Sequence, residues 1–314
     1  MALPAVRKRW PLKVLLAGLE TAYNDATALA GDTHAIKAWD VSWSPMEGSD
    51  LSIETVQSYF SAYPSLPVAL TARLQFSTAL VGAGAAGSLP VWDPLWRMGG
   101  WAGTVTADTD VTYLPATADP ESGAVWINND GTLLKSVGAR SAQTLMFEAN
   151  QHPRLMSDIM GLWAAPTDAA MPTADLSEWA DPLPVRKGNT TFSLHGVELR
   201  LQQLEIRCGQ AVELASRVND ELIDISDRRM TGTALVEATA MSALNPFALA
   251  AAGTTGALAL QHGTAAGSIV QLAATKVQLG RPSNAPAQQG AAMWSIPLTF
   301  LPTDGDDELS LIVQ

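Results

Sequence analysis

Residues 66–76 read LPVALTARLQF, with large apolar side chains at Val68, Leu70, Leu74 and Phe76, an even number of positions apart. Successive side chains of an extended chain point to opposite faces, so this spacing predicts a β-strand with one buried face. Because such a stretch needs a second apolar layer to cover it, the sequence favours a sandwich or barrel.

The same alternation recurs along the chain. It is found at Trp39, Val41 and Trp43, at Trp294, Ile296, Leu298 and Phe300, and at Leu309, Leu311 and Val313. Between residues 197–201 and 204–208 the alternation changes phase at Gln202, which predicts a β-bulge. Long helical periods are few, so the sequence predicts a mainly β protein.

Two short helices are predicted, each beginning with a proline after an N-capping residue. The capping residues are Asp93 and Asn245, whose side chains can accept hydrogen bonds from the free N–H groups of a first helical turn. Glycines at Gly99 and Gly253 predict where the two helices end.

The order of strands and helix is similar in the two halves of the chain, and both halves close on related tails, APTD at 165–168 and LPTD at 301–304. We therefore predict two tandem β-sandwich or barrel domains, each with a short flanking α-helix. They cover residues 1–170, including an N-terminal arm, and residues 188–314. Residues 171–187 contain three prolines and predict an extended linker anchored by Trp179.

Composition excludes several classes of protein. The 314 residues carry a net charge of −12, which disfavours tight nucleic-acid binding but suits a surface past which DNA slides. No apolar run approaches the ~20 residues of a membrane span, and the apolar stretch after Arg9 is too short for an export signal. The single cysteine, Cys208, excludes an internal disulfide and is expected to be buried.

Patterns typical of catalytic or metal sites are missing from the sequence. The four histidines lack metal-binding spacing, and no Gly-x-Ser-x-Gly motif is found. Residues 82–87 spell G-x-G-x-x-G, but no helix of useful length follows, so we predict a loop. The acidic residues 304–308 predict a solvated turn rather than a calcium site. We therefore expect no catalytic residue, cofactor or metal, and no enzyme activity.

Several segments resemble the tail tube proteins of bacteriophages with long, non-contractile tails. Residues 13–27, KVLLAGLETAYNDAT, are similar to the opening pattern of that family, with Asn24 where glycine is usual. The helix at Asp93 resembles the family's Pro-Leu helix, with Met98 in place of cysteine. The resemblance continues through DPLPV at 181–185, NTTFSLHG at 189–196, AGTTGAL at 252–258 and HGT at 262–264.

The resemblance implies a structural virion protein of the phage tail, made and assembled in the host cytoplasm. Its subunits would form stacked rings whose inner sheets join into a barrel around a channel for DNA ejection. The implied partners are copies of itself, the tape measure protein, the tail terminator and baseplate proteins, with DNA present only transiently and no membrane. A duplicated chain would close as a trimeric ring with pseudo-sixfold symmetry, which the repeated helix signal favours; an unduplicated chain would need a hexamer.

Two sets of residues follow from this expectation. Acidic residues on the polar faces of strands, expected to line the lumen and repel DNA, are Asp40, Glu54, Glu198 and Glu205. Residues expected to contact the next ring are Arg7, Lys8 and Arg9 of the basic arm, and Gly82 and Gly84 of the glycine-rich loop.

Two other functions stay open at this point. A capsid decoration or baseplate protein would use related β-sandwiches without stacking into tubes. A tail enzyme or glycan-binding module is suggested only by the ten tryptophans, several of which fall in alternating strands where packing explains them.

Overall fold

The computed structural model describes residues 7–25 and 28–314. Strands take up 53% of the chain and helices 4%, which confirms the mainly β fold class. Ala26 and Thr27, the last residues of the quoted N-terminal motif, lie outside the described residues.

In the described residues before 171, the structure has nine strands and one helix. They are β1 (Lys13–Leu19), β2 (Ala38–Ser52), β3 (Ser65–Ala79), α1 (Asp93–Arg97), β4 (Trp101–Thr106), β5 (Asp110–Pro115), β6 (Gly123–Asn129), β7 (Thr132–Glu148), β8 (Arg154–Trp163) and β9 (Thr167–Asp168).

Eleven strands and one helix follow residue 187. They are β10 (Thr190–Leu194), β11 (Val197–Glu198), β12 (Leu201–Arg207), β13 (Gln210–Arg217), β14 (Asp220–Arg228), β15 (Thr231–Glu237), α2 (Pro246–Ala252), β16 (Thr255–His262), β17 (Val270–Leu279), β18 (Ser283–Gln288), β19 (Ala291–Phe300) and β20 (Ser310–Val313).

The central sheet contains eight antiparallel strands in the order β2–β3–β8–β7–β12–β15–β19–β18. Its first four strands come from one half of the chain and its last four from the other, with the same connectivity in each four. In both halves a hairpin leads into the second strand, a helix follows, and a final hairpin supplies the last two strands. The structure therefore repeats one four-stranded unit within a continuous sheet.

An outer sheet lies across both halves in the order β11–β10–β16–β17–β20–β5–β4. The last strand, β20, is its bridge, because it pairs with β17 on one side and β5 on the other. Beside it, β1 pairs with β6, and β6 pairs with the first part of β7, the strand that continues into the central sheet. Strand pairings join the two halves of the chain in both sheets. The division into two tandem domains therefore stays a prediction.

The main hydrophobic core fills the space between the layers and runs through both halves, and a small second cluster surrounds Leu16. Its largest buried side chains include an aromatic group around α1, in which the Trp96 and Trp101 rings stack with centroids 4.5 Å apart. Trp92 and Tyr113 extend the group. Burial of this much aromatic surface supplies a large part of the hydrophobic stabilisation.

Several local predictions are confirmed. The pairing of β12 with β15 shifts register between Leu201 and Gln203, where the sequence predicted a bulge. Trp294, Ile296, Leu298 and Phe300 of β19 are all buried. Asn24, for whose backbone no prediction was made, has φ +58°, a left-handed conformation that glycine adopts freely and asparagine tolerates. Cys208 is fully buried, and burial raises the pKa of its thiol.

The two helix starts differ from each other. Asn245 caps α2 as predicted, since its side chain accepts a hydrogen bond from the Ala248 N–H at 3.0 Å, and Gly253 ends the helix with φ +64°. Asp93, however, was wrongly predicted as an N-cap. It lies inside α1, where its buried carboxylate accepts a hydrogen bond from the Tyr113 hydroxyl at 2.7 Å and lies 3.5 Å from Arg97.

The segment 171–187 has no strand or helix, but it is fixed to the protein. The Trp179 side chain is buried and its indole N–H donates to the Ala35 carbonyl at 3.0 Å, as the anchoring prediction requires. Val185 exchanges backbone hydrogen bonds with residues 150 and 151, both at 2.8 Å. Through these contacts the segment is packed against the part of the chain that precedes it.

Replacing the capping residue of α2 tests the local argument. Asn245→Ala is expected to lower the free energy of unfolding by about 1 kcal/mol, because the Ala248 N–H loses its acceptor. Asn245→Asp is the matched control and should keep most of the stability. Urea unfolding of both variants measures the difference, and equal stability of the Ala and Asp variants would contradict the capping role.

His262 predicts a pH dependence of stability. Burial lowers the pKa of this imidazole, which packs against Phe147 and has Nδ1 2.8 Å from the Thr190 hydroxyl. Below the usual histidine pKa of about 6.5 the unfolded chain therefore takes up a proton more readily than the folded one, and stability falls as the pH is lowered.

We expect His262→Gln to remove this share of the slope, at most about 1.4 kcal/mol per pH unit. Urea unfolding of the wild type and the variant between pH 7 and pH 5 measures it. Parallel pH profiles of the two proteins would contradict the assignment.

Candidate functional site at the edges of the central sheet

The two four-stranded units meet where β7 pairs with β12. Five residue pairs, from Gln203 opposite Glu148 to Arg207 opposite Thr144, form this antiparallel junction. The side chains alternate across it, so Phe147 and Leu204 point into the core while Met146 and Glu205 lie on the other face. We call these five pairs the internal joint.

The buried side chains of Gln143 and Gln210 form hydrogen bonds beside the internal joint, on the core side of the sheet. Gln210 donates to the Gly99 carbonyl at 3.0 Å and to the Gln143 side chain at 2.9 Å, and it accepts from the Gln143 backbone N–H at 3.1 Å. The Gln143 side chain also donates to the Trp96 carbonyl at 3.0 Å, and the Gln143 backbone carbonyl accepts from the Cys208 N–H at 2.9 Å. Both side chains are buried, so their hydrogen bonds tie β7, α1 and β13 together where no water competes.

The outermost strands of the central sheet each have one open edge. In the described parts of the chain, β2 pairs only with β3, and β18 pairs only with β19. β2 occupies the same place in its unit as β12, and β18 the same place as β7. The edge of β18 carries Pro286, and proline is tolerated in a sheet mainly at an edge.

One face of the central sheet is polar and open. Arg73 donates to Asp158 at 2.7 Å on this face, and Arg207 donates to Glu205 at 2.5 Å. Asp40 is exposed at the bulge of β2, with φ +54°. The opposite face carries the buried apolar side chains, so one face of the sheet is exposed to solvent and the other packs in the core.

The structure brings only part of the predicted acidic set together. Asp40 and Glu205 lie on the open face of the central sheet. Glu54 lies in the loop after β2, and Glu198 lies in β11 of the outer sheet. The predicted strand position of Glu54 is therefore wrong, because it lies in a loop, while Glu198 lies in a strand as predicted but in a different sheet; that these residues line a lumen stays a prediction.

The predicted inter-ring residues are divided as well. Arg7, Lys8 and Arg9 are exposed, but Lys8 Nζ lies 3.6 Å from Asp168 and the Arg9 N–H donates to Asp130 at 2.7 Å. Both contacts tie the arm to its own chain.

The glycine-rich loop also has an internal contact. Gly84 is exposed and its N–H donates to the Gly267 carbonyl at 2.8 Å. Gly82 is buried against Gly267, where a Cβ would lie about 2.2 Å from the carbonyl oxygen, so it is unavailable to another ring.

Sequence reasoning missed the residues that form the edges. Residues 283–288 of β18 read SNAPAQ, without apolar alternation, and residues 144–148 of β7 look like any half-buried strand. Pro286 in β18 and Pro45 in β2 are the local signals of an edge. The rest depends on which strands meet, and that is set by contacts far apart in sequence.

The described residues contain no cluster of three or more His, Cys, Asp or Glu side chains able to hold a metal ion. Within the acidic segment 304–308, Asp306 accepts from Arg228 at 2.7 Å and from the Thr117 hydroxyl at 2.6 Å, and Asp307 accepts from the Thr303 N–H at 2.8 Å. These bonds make the segment a structural turn. In the part of the chain that the structure covers, neither helix has the length and apolar character to cross a membrane.

Comparison with models of known protein families gave no match, and neither did comparison with curated protein sequences.

Proposed function

We propose that this protein is the major tail tube subunit of a long-tailed bacteriophage, a structural virion protein that assembles into stacked rings. Three copies form one ring with pseudo-sixfold symmetry, and the rings enclose the channel through which DNA is ejected. The observation that carries the proposal is the internal joint together with the two open edges of the same sheet.

The internal joint supplies the template for assembly. It pairs the last strand of one four-stranded unit with the first strand of the next, antiparallel. β18 and β2 are the corresponding last and first strands, and neighbouring strands alternate in direction throughout the sheet. β18 of one protomer therefore meets β2 of its neighbour in the antiparallel sense, and closing the ring leaves no exposed edge in the central sheet.

The size of the closed barrel fits a channel. Three eight-stranded sheets give 24 strands, and at about 4.8 Å between strands the circumference is about 115 Å before tilt. Barrels of 16–18 strands already leave an aqueous channel. The polar open face lines this channel, because the apolar face is covered by the outer sheet.

The charge of the open face suits passage without adhesion. Glu205 and Asp158 are paired with arginines, whereas Asp40 is exposed. Because Arg73 and Arg207 are engaged by carboxylates, they offer the phosphates less free positive charge, and DNA gains less by counterion release. The net charge of −12 acts in the same direction.

Covalent trapping of the ring tests the edge pairing. Chains that carry Ser42→Cys or Ser44→Cys in β2 together with Asn284→Cys in β18 are treated with a short thiol-reactive cross-linker. Cys208 stays silent, because it is fully buried and burial raises its thiol pKa. We expect a denaturing gel to show covalent dimers and trimers, with the series ending at three chains because the ring is closed.

The control chain combines Asn284→Cys with Val105→Cys, which is exposed on β4 of the outer sheet. It should give no ladder. Products ending at six chains would replace the trimer by a hexamer, and the lack of any product would overturn the ring. Electron microscopy of the trapped trimers then tests stacking, since trimers that never form tubes would favour a decoration or baseplate protein.

Charge reversal tests the assignment of the lumen. Asp40→Lys and Glu205→Lys, introduced into the phage, should slow DNA release triggered in vitro at least several-fold, because lysines in the channel attract phosphates. The slowing should weaken at high salt, where charges are screened. Glu198→Lys on the outer sheet is the matched control, and equal release rates for all three variants would remove these residues from the channel wall.

A further inference from the structure

The distal part of the β2–β3 hairpin, residues 46–68, is an exposed apolar segment. It holds nine of the 21 large hydrophobic residues that the described chain exposes, so the apolar surface is concentrated here. They are Met46, Leu51, Ile53, Val56, Tyr59, Phe60, Tyr63, Leu66 and Val68. A concentration of this kind marks an interaction site. We call residues 46–68 the apolar arm.

The second unit contains a counterpart of the apolar arm that is already covered. The β13–β14 hairpin also extends the first two strands of its unit, and it folds back across β7 and β8 of the other unit. Ile223 is fully buried there, and its N–H donates to the Tyr23 hydroxyl at 2.6 Å. Ile225 packs against Gly100, just after α1.

The surface that receives this hairpin therefore lies beside the end of α1. Met98, Gly99 and Gly100 are all buried, and Gln210 of the hairpin donates to the Gly99 carbonyl. Contact between the hairpin and the helix end crosses the internal joint, from the second unit to the first. It fixes the relative position of neighbouring units in addition to the strand pairing.

The equivalent surface at α2 is uncovered. Phe247, Ala251, Ala252 and Gly253 are exposed, and Pro246 is the buried residue of the helix. Met241 is exposed nearby. No charged residue occurs between Glu237 and Lys276, although a helix facing solvent normally carries charges. Uncharged, apolar and exposed surface is typical of the centre of an interface. We call these five exposed residues the α2 surface.

We propose that the apolar arm of each protomer packs on the α2 surface of the neighbouring protomer in the same ring. The inference rests on the proposed ring, and its occupant is a second copy of this chain. When β2 of one protomer pairs with β18 of its neighbour, the arm lies beside α2 of that neighbour. The β13–β14 hairpin lies beside α1 in the same way within one chain. Two exposed apolar surfaces of one chain then cover each other around the ring.

The arm differs from its counterpart in length. Val218 and Asn219 alone connect β13 to β14, whereas residues 53–64 connect β2 to β3. The arm therefore reaches beyond the helix end that its counterpart covers. Phe60 is fully exposed at this tip, so the contact with the neighbour extends along α2 toward Phe247.

Site-specific photocross-linking tests the contact. A benzophenone amino acid replaces Phe247, and protein labelled with heavy isotopes is mixed with unlabelled protein before assembly. We expect light–heavy cross-links between position 247 and the peptide 46–68 in single, unstacked rings. The same probe at Val105 on the outer sheet is the control and should give none.

Mutation of the receiving surface gives an independent readout. Phe247→Asp should raise the dissociation constant of the ring at least tenfold, because a carboxylate would be buried against the apolar arm. Val218→Asp, at the exposed turn of the counterpart hairpin, should leave it unchanged. Circular dichroism checks that both variants are folded.

The outcomes separate this inference from the ring itself. Rings that form without cross-links from position 247 to the arm would overturn the arm contact and leave the ring standing. Cross-links found only after stacking would assign the arm to the next ring and also overturn it. Failure of the β2 and β18 cysteines to cross-link would overturn the ring, and the arm contact with it.

Discussion

Backbone hydrogen bonds between β7 and β12 are the interaction on which the rest of the structure depends. An antiparallel sheet that ends at β7 would expose a row of unpaired N–H and C=O groups, and β12 satisfies them from the same chain. Two further features are placed by this junction. The Gln143–Gln210 contacts lie beneath it, and β13–β14 crosses it to reach α1.

The two sheets have different roles around this junction. In the outer sheet, β20 pairs with β17 on one side and β5 on the other, so this sheet is continuous within the chain and covers the apolar face of the central sheet. The central sheet is continuous too, but both of its ends are open. Along the open edges of β2 and β18 the free N–H and C=O groups hydrogen-bond to water, and in the proposed ring they would pair with a second copy of the chain instead.

Local features were predictable where short-range physics decides them. The bulge near Gln203, the burial of Trp294 and its partners, and the Asn245 cap follow from side-chain period and capping chemistry. The prediction that Asp93 caps α1 was wrong, because its carboxylate accepts a hydrogen bond from the Tyr113 hydroxyl instead. The surroundings of Glu198 and Gly82 depend on distant parts of the chain that local patterns do not contain: Glu198 joins the outer sheet through β10, whose other partner β16 is more than 60 residues away, and Gly82 packs on Gly267.

Joining two units in one polypeptide changes the kinetics of closing a ring. In the proposed trimer three of the six junctions are internal, so their strands meet at the high effective concentration of a tethered pair and do not depend on how much protein the cell makes. Only two encounters between free protomers have to be productive, because the third junction closes within the complex when the last protomer binds. The two kinds of junction are also encoded by different residues, so the internal one can be optimised for permanence while the other stays reversible enough to correct a misplaced subunit.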